Sequence, residues 1–135
     1  MMGKKVWVNG CFDLIHLGHI ELLKFARSKG DLLYVGIDSD IRIKERKGFC
    51  RPFNNENTRF EILKAVKYVD KVMIYDTDYQ LESLIEQFQP KYMVLGSDYA
   101  NKPILGSQYC DNIIFFDRIE QYSTTSTIEK INNSL

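Results

Sequence analysis

A chain of 135 residues is the length of one domain. Its 18 basic and 18 acidic residues cancel, so no net field draws nucleic acid or an anionic membrane surface, and any anion site must be local. Hydrophobic residues make up 44% of the chain and aromatic ones 13%, enough to fill a core. Residues 5–9 read as a first strand, and the apolar run there, soon broken by Asn9 and Gly10, is too short for a signal peptide or a membrane span. Residues 18–28 read as a helix with Ile20, Leu23, Phe25 and Ala26 on its apolar face, and Gly30 ends it. Residues 32–37 are apolar almost without alternation, the look of a parallel strand covered on both faces. Residues 41–55 read as irregular and basic, around Gly48 and Pro52.

A helix is expected over 58–66, a strand over 71–75, and a helix over 81–88 that Pro90 stops. Strands follow at 92–95 and 112–116. The hydroxyl-rich start at Ser123 opens a last helix over 123–131, since Ser and Thr are good caps. Strands and helices alternate at βαβ spacing. The expected fold is α/β, a single Rossmann-like open sheet of about five parallel strands with helices on both faces, residues 1–135 forming one domain. Ligands of such sheets bind beyond the carboxyl ends of the strands. The loops 9–19, 38–51, 96–106 and 117–125 should therefore converge on one cleft. Cys11, Cys50 and Cys110 are far apart and form no CxxC pair, which points to reduced thiols and a cytoplasmic protein.

The segment His16-Leu17-Gly18-His19 carries most information about chemistry. It joins a strand and its turn to a helix N-terminus, where unpaired N–H groups and a partial positive charge suit a phosphate. Gly18 allows close backbone approach, and two imidazoles add donors. The chain has no third His, so a zinc site is weak. A purely structural role, with both rings capping the loop, is the competing reading. The converging loops also bring Lys44, Arg46, Lys47, Arg51 and Arg118, with Asp13, Asp40 and Asp98 as acids. No P-loop, GxGxxG or GxSxG motif occurs. Cys11 beside the histidines is a possible thiol nucleophile or an ordinary buried residue. The basic run can be a solvated face, Asp13 and Asp40 can cap turns, and Ser123 to Thr125 can cap a helix without a ligand. Many cations and two helix starts without a clear nucleophile suit phosphoryl chemistry, in which one substrate attacks another and the protein positions and neutralises.

The run from Gly10 to His19, GCFDLIHLGH, closely resembles the first motif of the HxGH nucleotidyltransferases, the cytidylyltransferase-like superfamily. The run from Arg118 to Thr125, RIEQYSTT, resembles that family's closing RTxGxSTT motif, with Ile119 and Gln121 departing from it. The resemblance spans residues 6–131. It implies transfer of a nucleoside monophosphate: a phosphate oxygen of the acceptor attacks the α-phosphate of a nucleoside triphosphate, and pyrophosphate leaves. It implies catalytic roles for His16, His19, Lys47 and Arg118. Nucleotide contacts would fall to Gly10, Cys11, Phe12, Asp13, Gly18, Lys44, Gly96, Asp98, Ser123, Thr124 and Thr125. The acceptor would meet Asp40, Arg51, Arg59 and Tyr99. Mg²⁺ would come bound through the phosphates, with no protein ligand assigned.

Two subfamilies compete. The segment from Lys47 to Asn54, KGFCRPFN, resembles the KGxxRPxN of heptose 1-phosphate adenylyltransferases. Gly96-Ser97-Asp98-Tyr99 and Gly106-Ser107 resemble their GGDY and AGS segments. Arg118 is more similar to the glycerol 3-phosphate cytidylyltransferases. The balance favours ATP and a phosphorylated sugar, with CTP and a polyol phosphate second. Adenylyltransferase domains of this kind are often fused to a sugar kinase; 135 residues leave no room for one, so a separate kinase is expected to supply the acceptor. A non-catalytic nucleotide-binding module is the alternative from another class, and the presence of both histidines and the Ser-Thr-Thr start argues against it. A homodimer is expected, with Phe53, Phe60, Tyr68 and Tyr75 as spare aromatic surface.

Overall fold

The computed structural model describes residues 3–48, 51–117 and 124–134. Five strands form one sheet: β1 (Lys5–Gly10), β2 (Leu32–Asp38), β3 (Lys71–Tyr75), β4 (Tyr92–Gly96) and β5 (Asn112–Phe116). Their order is β3-β2-β1-β4-β5 and every pairing is parallel. The order reverses between β1 and β4, so the carboxyl ends of those two strands open the crevice where such sheets bind ligands.

Alternating side chains on each strand build two cores. Val6, Val8, Leu33, Val35, Ile37, Val72 and Val94 form one, covered by Leu23 and Ala26 of α1 (Leu17–Ser28) and Leu63 of α3 (Glu56–Lys64). Trp7, Tyr75, Met93 and Leu95 form the other, under Leu81, Ile85 and Phe88 of α4 (Asp78–Phe88). Helices thus cover both faces, as the βαβ spacing implies. The last helix, α5, runs over Thr124–Asn133. No helix among the described residues is long and apolar enough to cross a membrane.

One element departs from expectation. The basic stretch after β2 is not irregular throughout: Asp40–Lys47 forms a helix, α2. Ser39 caps it, its side chain accepting from the Arg42 amide at 3.3 Å, and Lys44, Arg46 and Lys47 occupy the last turn, where the helix dipole favours cations. Tyr75 is a second correction. It is buried core rather than spare surface, whereas Phe53 is 68% exposed.

Candidate active site

The loop from β1 to α1 is held in a tight shape. Phe12 and Leu14 take left-handed backbone angles, φ 51° and 50°. That conformation is uncommon for such residues and occurs where the surroundings enforce it. The Phe12 ring is buried and lies 5.4 Å from the His19 ring, centre to centre. His16 is the N-cap of α1. Its Nδ1 accepts from the Gly18 amide at 3.0 Å, and the His19 Nδ1 accepts from the His16 amide at 3.2 Å. The two imidazoles thus make a reciprocal capping box, a task usually done by Ser or Thr with Glu. Their rings pack 4.0 Å apart. An imidazole that accepts at Nδ1 carries its proton at Nε2 when neutral, so the cap also fixes the tautomer. The cap therefore uses Nδ1 of each ring and leaves Nε2 as its N–H.

Both histidines line a cleft of about 440 Å³ at the carboxyl ends of the strands, within the range of small-molecule sites. Of the residues singled out from the sequence, the cleft gathers Gly10, Cys11, Phe12, His16, Gly18, His19, Lys47, Arg51, Gly96, Asp98 and Tyr99. Gly96 ends β4, and a Cβ there would stand 2.6 Å from an Asp98 carboxylate oxygen, so glycine is what lets Asp98 fold back over the strand end. Arg118 and Ser123 lie outside the described residues. Thr124 and Thr125 begin α5.

Four of the residues singled out from the sequence stand outside the cleft. Asp13, Asp40, Lys44 and Arg59 are not among the residues that line the cleft. Arg59 is fully buried. Its guanidinium donates to the carbonyls of Cys11 (2.9 Å), Asp38 (2.6 Å) and Asn54 (3.0 Å) and to the Asp40 carboxylate (2.8 Å). It splints three loops, and Asp40 is its partner. Asp13 is buried too, and its carboxylate accepts the amides of Phe53 and Asn54 at 2.6 and 2.9 Å. It staples the loop before α3 to the loop before α1, and brings Arg51 to 3.8 Å from the same carboxylate. Lys44 is exposed on the outer side of α2.

Cys11 is not an activated nucleophile. Burial raises its thiol to about 11, and the neighbouring Asp38 adds to the effect against the opposing pull of Lys47. Its Sγ donates to Asp38 at 3.1 Å. The Lys47 ammonium is near enough to pull against that shift, and Lys47 lines the same cleft.

Among the polar residues of the cleft that carried no assignment from sequence are Asn9, Asp38, Arg42 and Tyr75. Arg42 is buried on α2, with Nε 2.9 Å from Asp38 and Nη2 2.7 Å from Asp78. The two carboxylates outweigh burial and hold its guanidinium above its ordinary pKa. Tyr75 closes the wall, its hydroxyl pushed well up by burial and by Asp38. Asp38 ends β2. The signal for Arg42 was its spacing of four from Asp38, visible only if a helix starts at Ser39.

Known proteins agree with this geometry. Residues 7–130 match the family model described as cytidylyltransferase-like. The chain is 42% identical over 126 residues to the bifunctional protein HldE of Campylobacter fetus, covering 93% of this chain and 27% of that protein. It is 43% identical to the HldE protein of Campylobacter jejuni, covering 96% of this chain and 28% of the relative. The chain therefore spans little more than a quarter of the length of these curated relatives. Among solved structures, a lipopolysaccharide core biosynthesis protein from Thermoplasma volcanium superposes with a TM-score of 0.70 at 25% identity, covering 86% of this chain and 98% of that one. The chain belongs to the cytidylyltransferase-like family, a family of nucleotidyltransferases.

Proposed function

We propose that the protein moves a nucleoside monophosphate from ATP to a phosphorylated sugar of the heptose 1-phosphate kind, giving a nucleotide-activated sugar and pyrophosphate. The observation that carries the reading is the imidazole-capped N-terminus of α1 at the cleft, opposite Lys47. An oxygen of the acceptor's phosphate attacks the α-phosphorus. The new O–P bond forms as the bond from that phosphorus to the α–β bridging oxygen breaks, and the oxygen leaves on pyrophosphate with the electron pair. In this reading the Nε2–H groups of His16 and His19 and the Lys47 ammonium neutralise charge that grows on the phosphoryl oxygens, and donors already fixed in position need no reorganisation. Arg118 and Ser123 to Thr125 would take the β- and γ-phosphates, as the closing motif implies.

Mg²⁺ would ride on the triphosphate. The donors facing the cleft suit phosphate rather than metal, and Asp38 already accepts from Cys11 and Arg42, so phosphate oxygens and water would hold the ion. The choice of a sugar phosphate rests on the KGFCRPFN segment and on the HldE relatives. The reading includes a cytoplasmic homodimer. Pyrophosphate release with Mg²⁺ and each of ATP, CTP, GTP and UTP, against heptose 1-phosphate and glycerol 3-phosphate, tests it. ATP with the sugar phosphate should be fastest. A preference for CTP with glycerol 3-phosphate moves the protein to the other subfamily, and no release with any pair leaves only a nucleotide-binding module.

A further inference from the structure

Three neighbouring strands end in polar side chains that the transfer step leaves unused. They are Asn9 of β1, Asp38 of β2 and Tyr75 of β3. The register sets Asn9 beside Gly36 and Asp38 beside Tyr75. Side chains alternate across strands, so all three stand on the face that carries Trp7, the face under α4. Gly36 keeps the row open, since a Cβ there would lie 2.7 Å from Trp7 Cζ2 and 3.0 Å from Tyr75 Cε1. The row is wired together. Trp7 Nε1 donates to Asn9 Oδ1 at 2.9 Å, and Asn9 Nδ2 donates to the Tyr75 hydroxyl at 3.5 Å. That hydroxyl stands beside Asp38, its register partner, whose charge raises it, and Arg42 holds Asp38 by a 2.9 Å ion pair. Asn9, Asp38, Arg42 and Tyr75 all line the cleft.

The chemistry of the row points away from phosphate. A buried carboxylate repels the triphosphate. Among the described residues the Asp38 carboxylate accepts from Cys11 and Arg42, with the Tyr75 hydroxyl beside it, which leaves acceptor capacity among the roughly four positions of a carboxylate. Asn9 retains an amide N–H beyond the one given to Tyr75. An acceptor beside a donor is the complement of a hydroxyl group, which donates to one and accepts from the other. Leu81, Ile104 and Leu105 add an apolar wall to the same cleft, suited to the C–H face of a sugar. We infer that the Asn9–Asp38–Tyr75 row is the subsite that reads the acceptor's hydroxyl groups, and that it selects a sugar phosphate over a short polyol phosphate. The inference takes the acceptor's class from the proposed transfer reaction. A site built to bond hydroxyls discriminates against a ligand whose hydroxyls it cannot engage, because its own buried groups are then left unpaired; glycerol 3-phosphate brings two hydroxyls on a three-carbon chain, fewer than a sugar ring presents.

The test reads binding rather than turnover. Wild type, Asp38→Asn and Tyr75→Phe are titrated with heptose 1-phosphate and with glycerol 3-phosphate, a non-hydrolysable ATP analogue being present. Calorimetry gives Kd, and the single tryptophan of the chain, Trp7, reports through its bond to Asn9. Asp38→Asn should weaken the sugar phosphate ~10-fold or more, as expected for loss of a charged acceptor to a ligand hydroxyl, and Tyr75→Phe ~3-fold, because its hydroxyl holds Asn9 in place. Binding of glycerol 3-phosphate should fall less than that of the sugar phosphate, and binding of the ATP analogue should stay put. Should Asp38→Asn fail to fold, Tyr75→Phe decides alone, since it keeps the buried ring. Equal sugar-phosphate affinity in the variants, equal losses for both acceptors, or no sugar-phosphate binding by wild type overturns the inference. Absence of pyrophosphate release by a wild type that binds the sugar phosphate overturns the transfer reaction and leaves the subsite standing.

Discussion

An imidazole that both caps a helix and donates to a ligand can be taken apart by substitution. His16→Ala removes the cap and the Nε2 donor together. His16→Asn returns a side-chain oxygen able to accept the Gly18 amide, because Asn is among the best N-caps. The alanine variant should lose about 0.5–2 kcal/mol of stability in thermal or urea melts, and the asparagine variant much less. Both should lose pyrophosphate release by ~10²–10³, the usual effect of deleting a preorganised donor. Wild-type turnover in His16→Asn would reduce His16 to a cap. Cys11 gives a second prediction at this scale. Its thiol titrates near 11 in the fold against an ordinary 9.0, so the folded chain keeps a proton that the unfolded chain releases between those values. The thiol's contribution to stability is full below pH 9 and is lost as pH rises toward 11. Alkylation of Cys11 by iodoacetamide at pH 8, followed by peptide mass, should run about a hundredfold slower in the folded protein than in urea, since the thiolate is the reactive form. Comparable rates would mean that the thiol is neither buried nor paired with Asp38.

Among the elements, α2 shows most clearly what sequence does and does not carry. The strands 71–75 and 112–116 were legible residue for residue, because each is a short β-rich run with polar flanks. α2 was not. Its buried side chains are Ile43 and Arg42, so the apolar periodicity that marks a helix has almost nothing to register. Gly48 and Pro52 nearby look like loop residues. Arg42 is held inside by Asp38 and Asp78, partners that the sequence places 4 and 36 residues away. Arg59 was hidden for a similar reason, since the carbonyls it serves belong to loops whose meeting only the fold reveals. Asp78, at the start of α4, accepts from Arg42 and Arg46 together and so latches α2 over the cleft with Lys47 inward and Lys44 outward. Lys47→Ala should therefore weaken ATP binding and turnover, while Lys44→Ala should be nearly neutral. Equal effects in calorimetry and rate would show that only the net charge of the helix matters.

For the molecule as a whole, the strand order brings the first motif, at the end of β1, beside the Gly96–Tyr99 turn at the end of β4. Segments roughly 80 residues apart in the chain thus meet at one crevice, as switch-point topology requires. Phe53 and Ile41 remain 68% and 65% exposed, and large apolar side chains of this kind favour interfaces. Light scattering at micromolar concentration should give the mass of a dimer, and a monomer mass would reject the homodimer. The Asp13 staple has a consequence for how such a protein can change. It grips the chain at residues 53 and 54 by their amides alone, so it is blind to which side chains those positions carry. Phe53 and Asn54 can be exchanged freely without undoing the staple, while Asp13 cannot. The segment joining Arg51 to α3 is in that sense a cassette: its lettering is open to drift, and its mooring to the loop before α1 stays fixed.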